Sequence, residues 1–280
     1  MPTAPVLIAG CGDVGARLAL AMGARGVPSL CLRRNPSALP PGLTALAADL
    51  ADAQSLRAVP RGIRQLVFTA SPDAFGVAEY RRVYIDGLAR ICSVLDRDRV
   101  ERIILVSSSA VFGEHAGGWV DEETVPEPIG FNGQILLEAE HWLHQQWPGR
   151  VVVLRLAGLY GPGRTRLLDA LRSGTARASR SSPFYVNRIH VDDAASAIAH
   201  LLQLRAPLPC YLGVDDVPLP QDVLYEYLAR QLGASPPESG PPPQGIGNKR
   251  LRNLRLRASG WSPQWPDARW GYAALKDAVR

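Results

Sequence analysis

The sequence predicts an α/β fold, a doubly wound parallel sheet followed by a small C-terminal lobe, on three observations. Short apolar or β-branched runs alternate with helical patterns through the first half of the chain, as βαβ units require. The first run leads straight into a glycine-rich turn that opens a helix. The second half is less regular and rich in proline, which suits a lobe better than more parallel sheet.

Strands are expected at Val6–Ala9, Ser29–Leu32, Leu43–Leu46, Gln65–Thr69, Arg102–Ser107, Val151–Leu156 and Cys210–Gly213. Between the fourth and fifth, Tyr84, Leu88, Ile91, Cys92 and Leu95 fall on one stripe of a long helix that should pack on the sheet. Asp192 and Asp193 are placed to cap a later helix. Ser235 to Gly245 holds too many prolines for helix or central strand and is expected as a surface loop after a helix around Val223–Leu232. The spacing divides the chain into a sheet domain, 1–160 and 186–215, and a smaller lobe, 161–185 and 216–280.

Composition excludes some chemistry outright. The 280 residues carry 31 basic and 26 acidic side chains, yet the only lysines are Lys249 and Lys276. A lysine Schiff base, a P-loop lysine or a Tyr-x-x-x-Lys dyad is therefore ruled out before residue 249. The net charge of +5 is spread along the chain. Its densest basic run, Lys249 to Arg257, alternates with leucines as a solvated helix face does, so nucleic-acid binding is not expected. Cys11, Cys31, Cys92 and Cys210 form no C-x-x-C and read as buried thiols, with no metal site. No uncharged apolar run approaches the roughly 18 residues that span a bilayer. The start lacks the basic region of a signal peptide, so a cytoplasmic protein without a membrane partner is expected.

Gly10-Cys11-Gly12-Asp13-Val14-Gly15 is a G-x-G-x-x-G between strand and helix. Gly10 suits the tight turn, Gly12 lets backbone approach a pyrophosphate, Gly15 allows close helix–strand packing, and the helix N-terminus offers N–H groups to phosphate. Dinucleotide binding follows from that context. An acid at the end of the second strand would bond the ribose 2′-OH of NAD, whereas arginine suits the 2′-phosphate of NADP. The strand ends Leu32-Arg33-Arg34 with no acid, so NADP is the expected cofactor and NAD the alternative. Asp49 and Leu50 are placed to reach the adenine, and Thr69, Ala70 and Ser71 end the fourth strand where the cofactor would pass.

The glycine turn, Asp49-Leu50, Val106 to Gly113, Leu137 to Glu140, Arg155 with Tyr160-Gly161-Pro162-Gly163, and Arg188 to Asp193 recur in this order in the extended short-chain dehydrogenase/reductases. The chain thus resembles the NAD-dependent epimerase/dehydratase family over nearly its whole length. Its short length and late Asn248-Lys249-Arg250 segment look most like an atypical, YeeZ-type subgroup. The resemblance implies a Rossmann-type doubly wound parallel sheet, a small C-terminal substrate lobe, and a small-molecule substrate such as a nucleotide sugar. It also suggests a homodimer, by analogy alone.

Catalysis in that family uses a serine or threonine after the fifth strand and a tyrosine and lysine four residues apart on the next helix. The tyrosine moves a proton and the lysine lowers its pKa. Alignment of the motifs puts Ser108 at the serine position, Asn132 at the tyrosine position and Leu136 at the lysine position. Asn132 has no titratable proton and Leu136 no charge. The late Tyr272-x-x-x-Lys276 lies far from that helix and reads as a coincidence. Tyr160 reads as a packing aromatic and His190 as structural. Glu114, His115 and Asp121, in the loop after the fifth strand, are the groups from which a replacement acid or base would come. The expected function is an NAD(P)-binding, atypical oxidoreductase or epimerase lacking the Tyr-Lys dyad. A non-catalytic NADP-binding sensor or scaffold is the reading from a different class.

Overall fold

The computed structural model describes residues 6–275. Seven strands form the main sheet: β1 (Val6–Ala9), β2 (Ser29–Arg33), β3 (Ala45–Ala47), β4 (Gln65–Phe68), β5 (Arg102–Ser108), β6 (Val151–Leu156) and β7 (Cys210–Gly213). Their order is β7-β6-β5-β4-β1-β2-β3. β1 pairs in parallel with β2 on one side, Val6 opposite Ser29, and with β4 on the other, Val6 opposite Gln65. The chain therefore winds outward in both directions from β1, the strand order of a doubly wound sheet. Because both faces are covered, β1 is buried along its length and reads as an uninterrupted apolar run.

Six strands lie where the apolar runs put them, to within a residue. β3 begins two residues late, because Pro40, Pro41 and the left-handed Gly42 (φ 86°) occupy the turn before it. The helical stripe is also real: Tyr84, Leu88, Ile91, Cys92 and Leu95 are all buried. The helix carrying it is not uniform, since α2 (Val77–Arg81) passes through a π-helical turn, Arg82–Gly87, before α3 (Leu88–Ser93). Gly87 sits on that turn, where a Cβ would come within 3.2 Å of the Leu50 side chain.

The remaining large helices of the sheet region are α1 (Asp13–Gly23), α4 (Phe131–Gln146) and α5 (Val191–Gln203). Arg102 of β5 donates to the carbonyls of Leu201 and Leu202 at 2.8 Å, seating the end of α5 on the sheet. α4 is locked to the strands beneath it by a buried polar cluster. Ser107 Oγ donates to Glu140 at 2.5 Å, and Arg155 grips the same carboxylate through Nε at 3.2 Å and Nη2 at 2.7 Å. Glu140 and Arg155, read from the sequence as family motif residues, thus join a helix to β5 and β6.

Two compact units share the chain: 1–111, 131–155 and 195–211 make one, and 112–130, 156–194 and 212–280 the other. This differs from the division drawn from sequence, in which the loop after β5 and residues 156–160 fell with the sheet. The physical reason is pairing: Gly158–Tyr160 runs parallel to Arg188–His190, and Trp119–Val120 runs parallel to Arg250–Leu251, all inside the second unit. That unit has its own core, built on Tyr160, Leu168, Leu171, Leu224, Leu228 and Tyr272.

Asp192 and Asp193 stand in the first turn of α5, and the Asp193 carboxylate also accepts from the N–H groups of Gln264 and Trp265, at 2.7 and 2.9 Å, and so anchors a segment 71 residues away. One further expectation is corrected. The basic run 249–257 is not one solvated helix. Arg250–Leu251 is a strand, Leu254–Ala258 a short helix, Leu251 and Leu256 are core residues, and Lys249 itself is buried.

Of the cysteines, Cys11, Cys31 and Cys92 are buried free thiols, and Cys210 is free but half-buried. Among the described residues, no helix is long and apolar enough to cross a membrane and no His/Cys/Asp/Glu group is placed to hold a metal ion.

Removing the Glu140 carboxylate withdraws the charge that neutralises Arg155 in the interior. Glu140→Ala should destabilise the fold by about 3–5 kcal/mol in urea or thermal unfolding; a cost under about 1 kcal/mol would contradict the role given to this cluster.

Candidate functional site

A cavity of about 530 Å³ opens at the carboxyl ends of β1, β2 and β4, where the strand order reverses and ligands bind in open α/β sheets. Its floor is made by close backbone approach. Gly10 has φ 78°, and a Cβ there would stand 2.3 Å from the Cα of Ala70, so only glycine fits. Thr69 Oγ1 donates to the Gly10 carbonyl at 3.0 Å and ties the end of β4 to the turn. Behind the turn, a Cβ at Gly15 would meet Ile8 and Thr69 at 3.0 and 3.1 Å, which is why α1 can lie so close to β1.

Gly12 is the N-cap of α1, and no side chain caps it. A Cβ there would meet only the Gly10 carbonyl, at 3.8 Å, so the space over the first-turn N–H groups is open. Such a helix end is suited to an anionic phosphate. Asp13 turns aside from this end to pair with Arg17 at 2.8 Å, and Val14 is buried beneath the helix.

The residues singled out from the sequence separate cleanly. Gly10, Gly12, Arg33, Arg34, Asp49, Leu50, Ala70 and Ser71 line the cavity. Asp13, Val14, Gly15 and Thr69 are not on its wall; they shape the turn from behind. Asp49 is partly committed, since its Oδ1 accepts from the Ala51 N–H at 2.8 Å in a local turn.

Sequence reasoning missed Asn35, Asp73, Arg82 and Val83 of the same wall. Arg82 and Val83 open the π-helical turn, a backbone irregularity that often marks functional sites and that no residue pattern announced. Arg34 Nη2 meets Asp73 at 2.6 Å, Arg82 reaches the other oxygen of that carboxylate at 3.5 Å, and Arg82 also holds Glu79 at 2.6 Å. The hydrogen-bonded Arg34 guanidinium keeps the Asp73 carboxyl below its usual range, with burial opposing. Both partners of the Arg34–Asp73 pair are more than half exposed, so the pair is cheap to break.

Ser108 ends β5, and its Oγ accepts from the Ala110 N–H at 3.2 Å. Asn132 lies in the first turn of α4, and Leu136, one turn on, is buried. In the second unit, Glu114 accepts the N–H groups of Ala116 and Asn248 at 2.6 and 2.7 Å, and Asp121 accepts those of Glu123 and the Thr124 hydroxyl. Both acids are therefore held in loop-fixing bonds. Tyr160 stacks on Tyr272 with ring centroids 4.3 Å apart, and burial raises the pKa of each phenol. Tyr272 is thus a core residue; Lys276 lies outside the described residues.

Comparison with known proteins agrees with this architecture. The family model for the NAD dependent epimerase/dehydratase family matches residues 6–209. The chain belongs to that family. It is 34% identical over 158 residues to protein YeeZ of Escherichia coli, a match that covers 55% of each chain, so it spans about half the length of that curated relative. Among solved structures, a candidate NAD-dependent epimerase/dehydratase from Methylobacillus flagellatus is 35% identical, with a TM-score of 0.83 and 99% of both chains covered. The Thermus thermophilus UDP-glucose 4-epimerase, solved with NAD, has a TM-score of 0.82 at 21% identity over 99% of this chain and 100% of its own, a likeness of fold.

Proposed function

We propose that this family member binds NADP in the cavity at the ends of β1, β2 and β4 and serves as an atypical oxidoreductase or epimerase. The single observation that carries the reading is the cavity wall itself, which brings Arg33, Arg34 and Arg82 together and has no acid at the end of β2. Arginines suit a 2′-phosphate by charge and by their forked donors, whereas a ribose 2′-OH calls for an acceptor. NAD bound to the UDP-glucose 4-epimerase supports the dinucleotide site but not the 2′-phosphate preference.

When bound, a nicotinamide dinucleotide supplies or accepts hydride. This chain's residues then have to bind it, orient the substrate and manage a proton. Gly10 and Gly12 let the backbone approach the diphosphate, and the open N–H groups of α1 complement its charge. Ser108, at the end of β5, offers a hydroxyl to a substrate oxygen. Leu136, apolar and buried, gives neither the charge nor the hydrogen bond of the family lysine, and Asn132 has no proton to exchange at neutral pH. Proton transfer therefore passes through water or a group on the substrate, at a cost of about 10²–10⁴ in rate relative to a positioned acid. The substrate is a small hydroxyl- or carbonyl-bearing molecule, with a nucleotide sugar the family's choice. Four free thiols fit a reducing, cytoplasmic setting. A homodimer remains the family analogy.

A non-catalytic NADP sensor or scaffold is the second reading, and Asn132 with Leu136 favours it. Incubation with NADPH and a panel of aldehydes, ketones and nucleotide sugars separates the two. Turnover that Ser108→Ala removes supports the enzyme, turnover unchanged in that variant rejects the role of Ser108, and none with any carbonyl supports the sensor.

Cofactor choice is tested by titrating NADPH and NADH against the protein and following energy transfer from its tryptophans. Arg34→Ala should weaken NADPH by roughly tenfold and NADH by less than about twofold. Asp73→Asn should tighten NADPH by roughly twofold to fivefold, because it removes a carboxylate that competes for Arg34. Equal loss of both cofactors in Arg34→Ala would contradict the 2′-phosphate assignment.

A further inference from the structure

A second cavity, of about 350 Å³, adjoins the first in the sheet unit. One wall is the stripe Asp13, Ala16, Arg17 and Leu20 of α1, which recur three and four residues apart and so share a face of the helix. The other wall is Arg33 at the end of β2, with Ala38 and Pro40 of the loop that follows. Asn35 fixes that loop, its Oδ1 accepting from the Ser37 N–H at 3.1 Å and from the Ser37 hydroxyl at 2.6 Å. Gly12 and Arg33 line both cavities, so a ligand at the end of β2 has access to each.

The two arginines after Leu32 are placed differently. Arg34 lines the first cavity and not the second, and its Nη2 is on Asp73. Arg33 lines both, and in the second it shares the opening with Arg17. Two guanidiniums thus face one space, with Asp13 beside them. Arg17 Nε donates to Asp13 Oδ1 at 2.8 Å, one turn apart on a helix surface, with the side chains 26% and 35% exposed. Water screens such a pair, which is weak. Ala16, Ala38 and Pro40 are small or compact, and they leave the space between the cations open.

We propose that the second cavity takes the 2′-phosphate of the dinucleotide and that Arg17 is a specificity-determining residue for NADP. The inference rests on the NADP reading and deepens it. The adenosine ribose lies in the first cavity, its 2′-phosphate passes Arg33 into the second, and there Arg17 meets it from α1 while Arg34 approaches from the other side. A phosphate brings more charge than a carboxylate and three acceptor oxygens, so it draws Arg17 away from Asp13. NAD has only a hydroxyl at that carbon and gains nothing from Arg17. An Arg17 that served the helix alone would affect both cofactors alike.

Titration of the protein with NADPH and NADH, followed by energy transfer from its tryptophans, tests this with two variants. Arg17→Met removes the charge at a partly exposed position and keeps a good helix former. It should weaken NADPH roughly fivefold or more and NADH less than about twofold. Ala38→Glu puts a carboxylate on the opposite wall, at an exposed position, and should do the same without touching α1. If either variant leaves NADPH unchanged while Arg34→Ala weakens it, the second cavity is not the phosphate site, and the NADP reading stands without it. Equal weakening of both cofactors by Arg17→Met assigns Arg17 to the helix and overturns the proposal. If the parent binds NADH as tightly as NADPH, the NADP reading itself fails and this inference falls with it.

Discussion

The close approach of Gly10 to Ala70 is the constraint on which the rest of the sheet's working end depends. A Cβ on Gly10 would overlap Ala70, and the turn's left-handed backbone is one that L side chains rarely adopt. With that contact made, β1 and β4 end together, Thr69 bonds across to the Gly10 carbonyl, and α1 starts directly over the gap. Gly15 lets the helix settle against β1. The open helix N-terminus, the cavity floor and the arginines at the end of β2 all take their positions from this turn. None of it requires a lysine.

In the proposed reading the chemistry divides into two parts. Its binding groups are backbone N–H groups, three arginines and the Ser108 hydroxyl. Its proton-transfer pair is missing, because Asn132 and a buried Leu136 stand where the resemblance puts the family's tyrosine and lysine. Leu136 is buried and apolar, so it supplies no charge of the kind ordinary short-chain dehydrogenase catalysis uses. The same helix keeps a buried carboxylate, Glu140, but spends it on Arg155 and Ser107 for stability.

Much of the sheet was legible because a strand covered on both faces must be largely apolar, and β1, Ile103–Val106 of β5 and Val151–Leu154 of β6 are written that way. The glycine turn was legible because its backbone geometry admits few residues. What escaped was whatever depends on partners distant in sequence. Residues 158–160 fell with the sheet domain in the sequence, but the ladder partner of Gly158–Tyr160, Arg188–His190, is some 30 residues away. Lys249 looked like one cation in a solvated stripe until Gly113–Val120 was laid beside it. Asp73 and Arg82 carry no motif; the loop after β4 and a π-helical turn aim them at the cavity, and neither can be read from spacing.

If the arginines of this cavity hold a 2′-phosphate while the family's proton donor is gone, a crystal structure of the protein grown with NADPH should show it. The 2′-phosphate is expected within hydrogen-bond distance of Arg33 or Arg34, with Asp73 turned away from Arg34 and no titratable side chain of α4 at the nicotinamide. A cofactor whose adenosine ribose is held by Asp49 or Asp73 with no arginine on its 2′ substituent, or one bound outside this cavity, would contradict it.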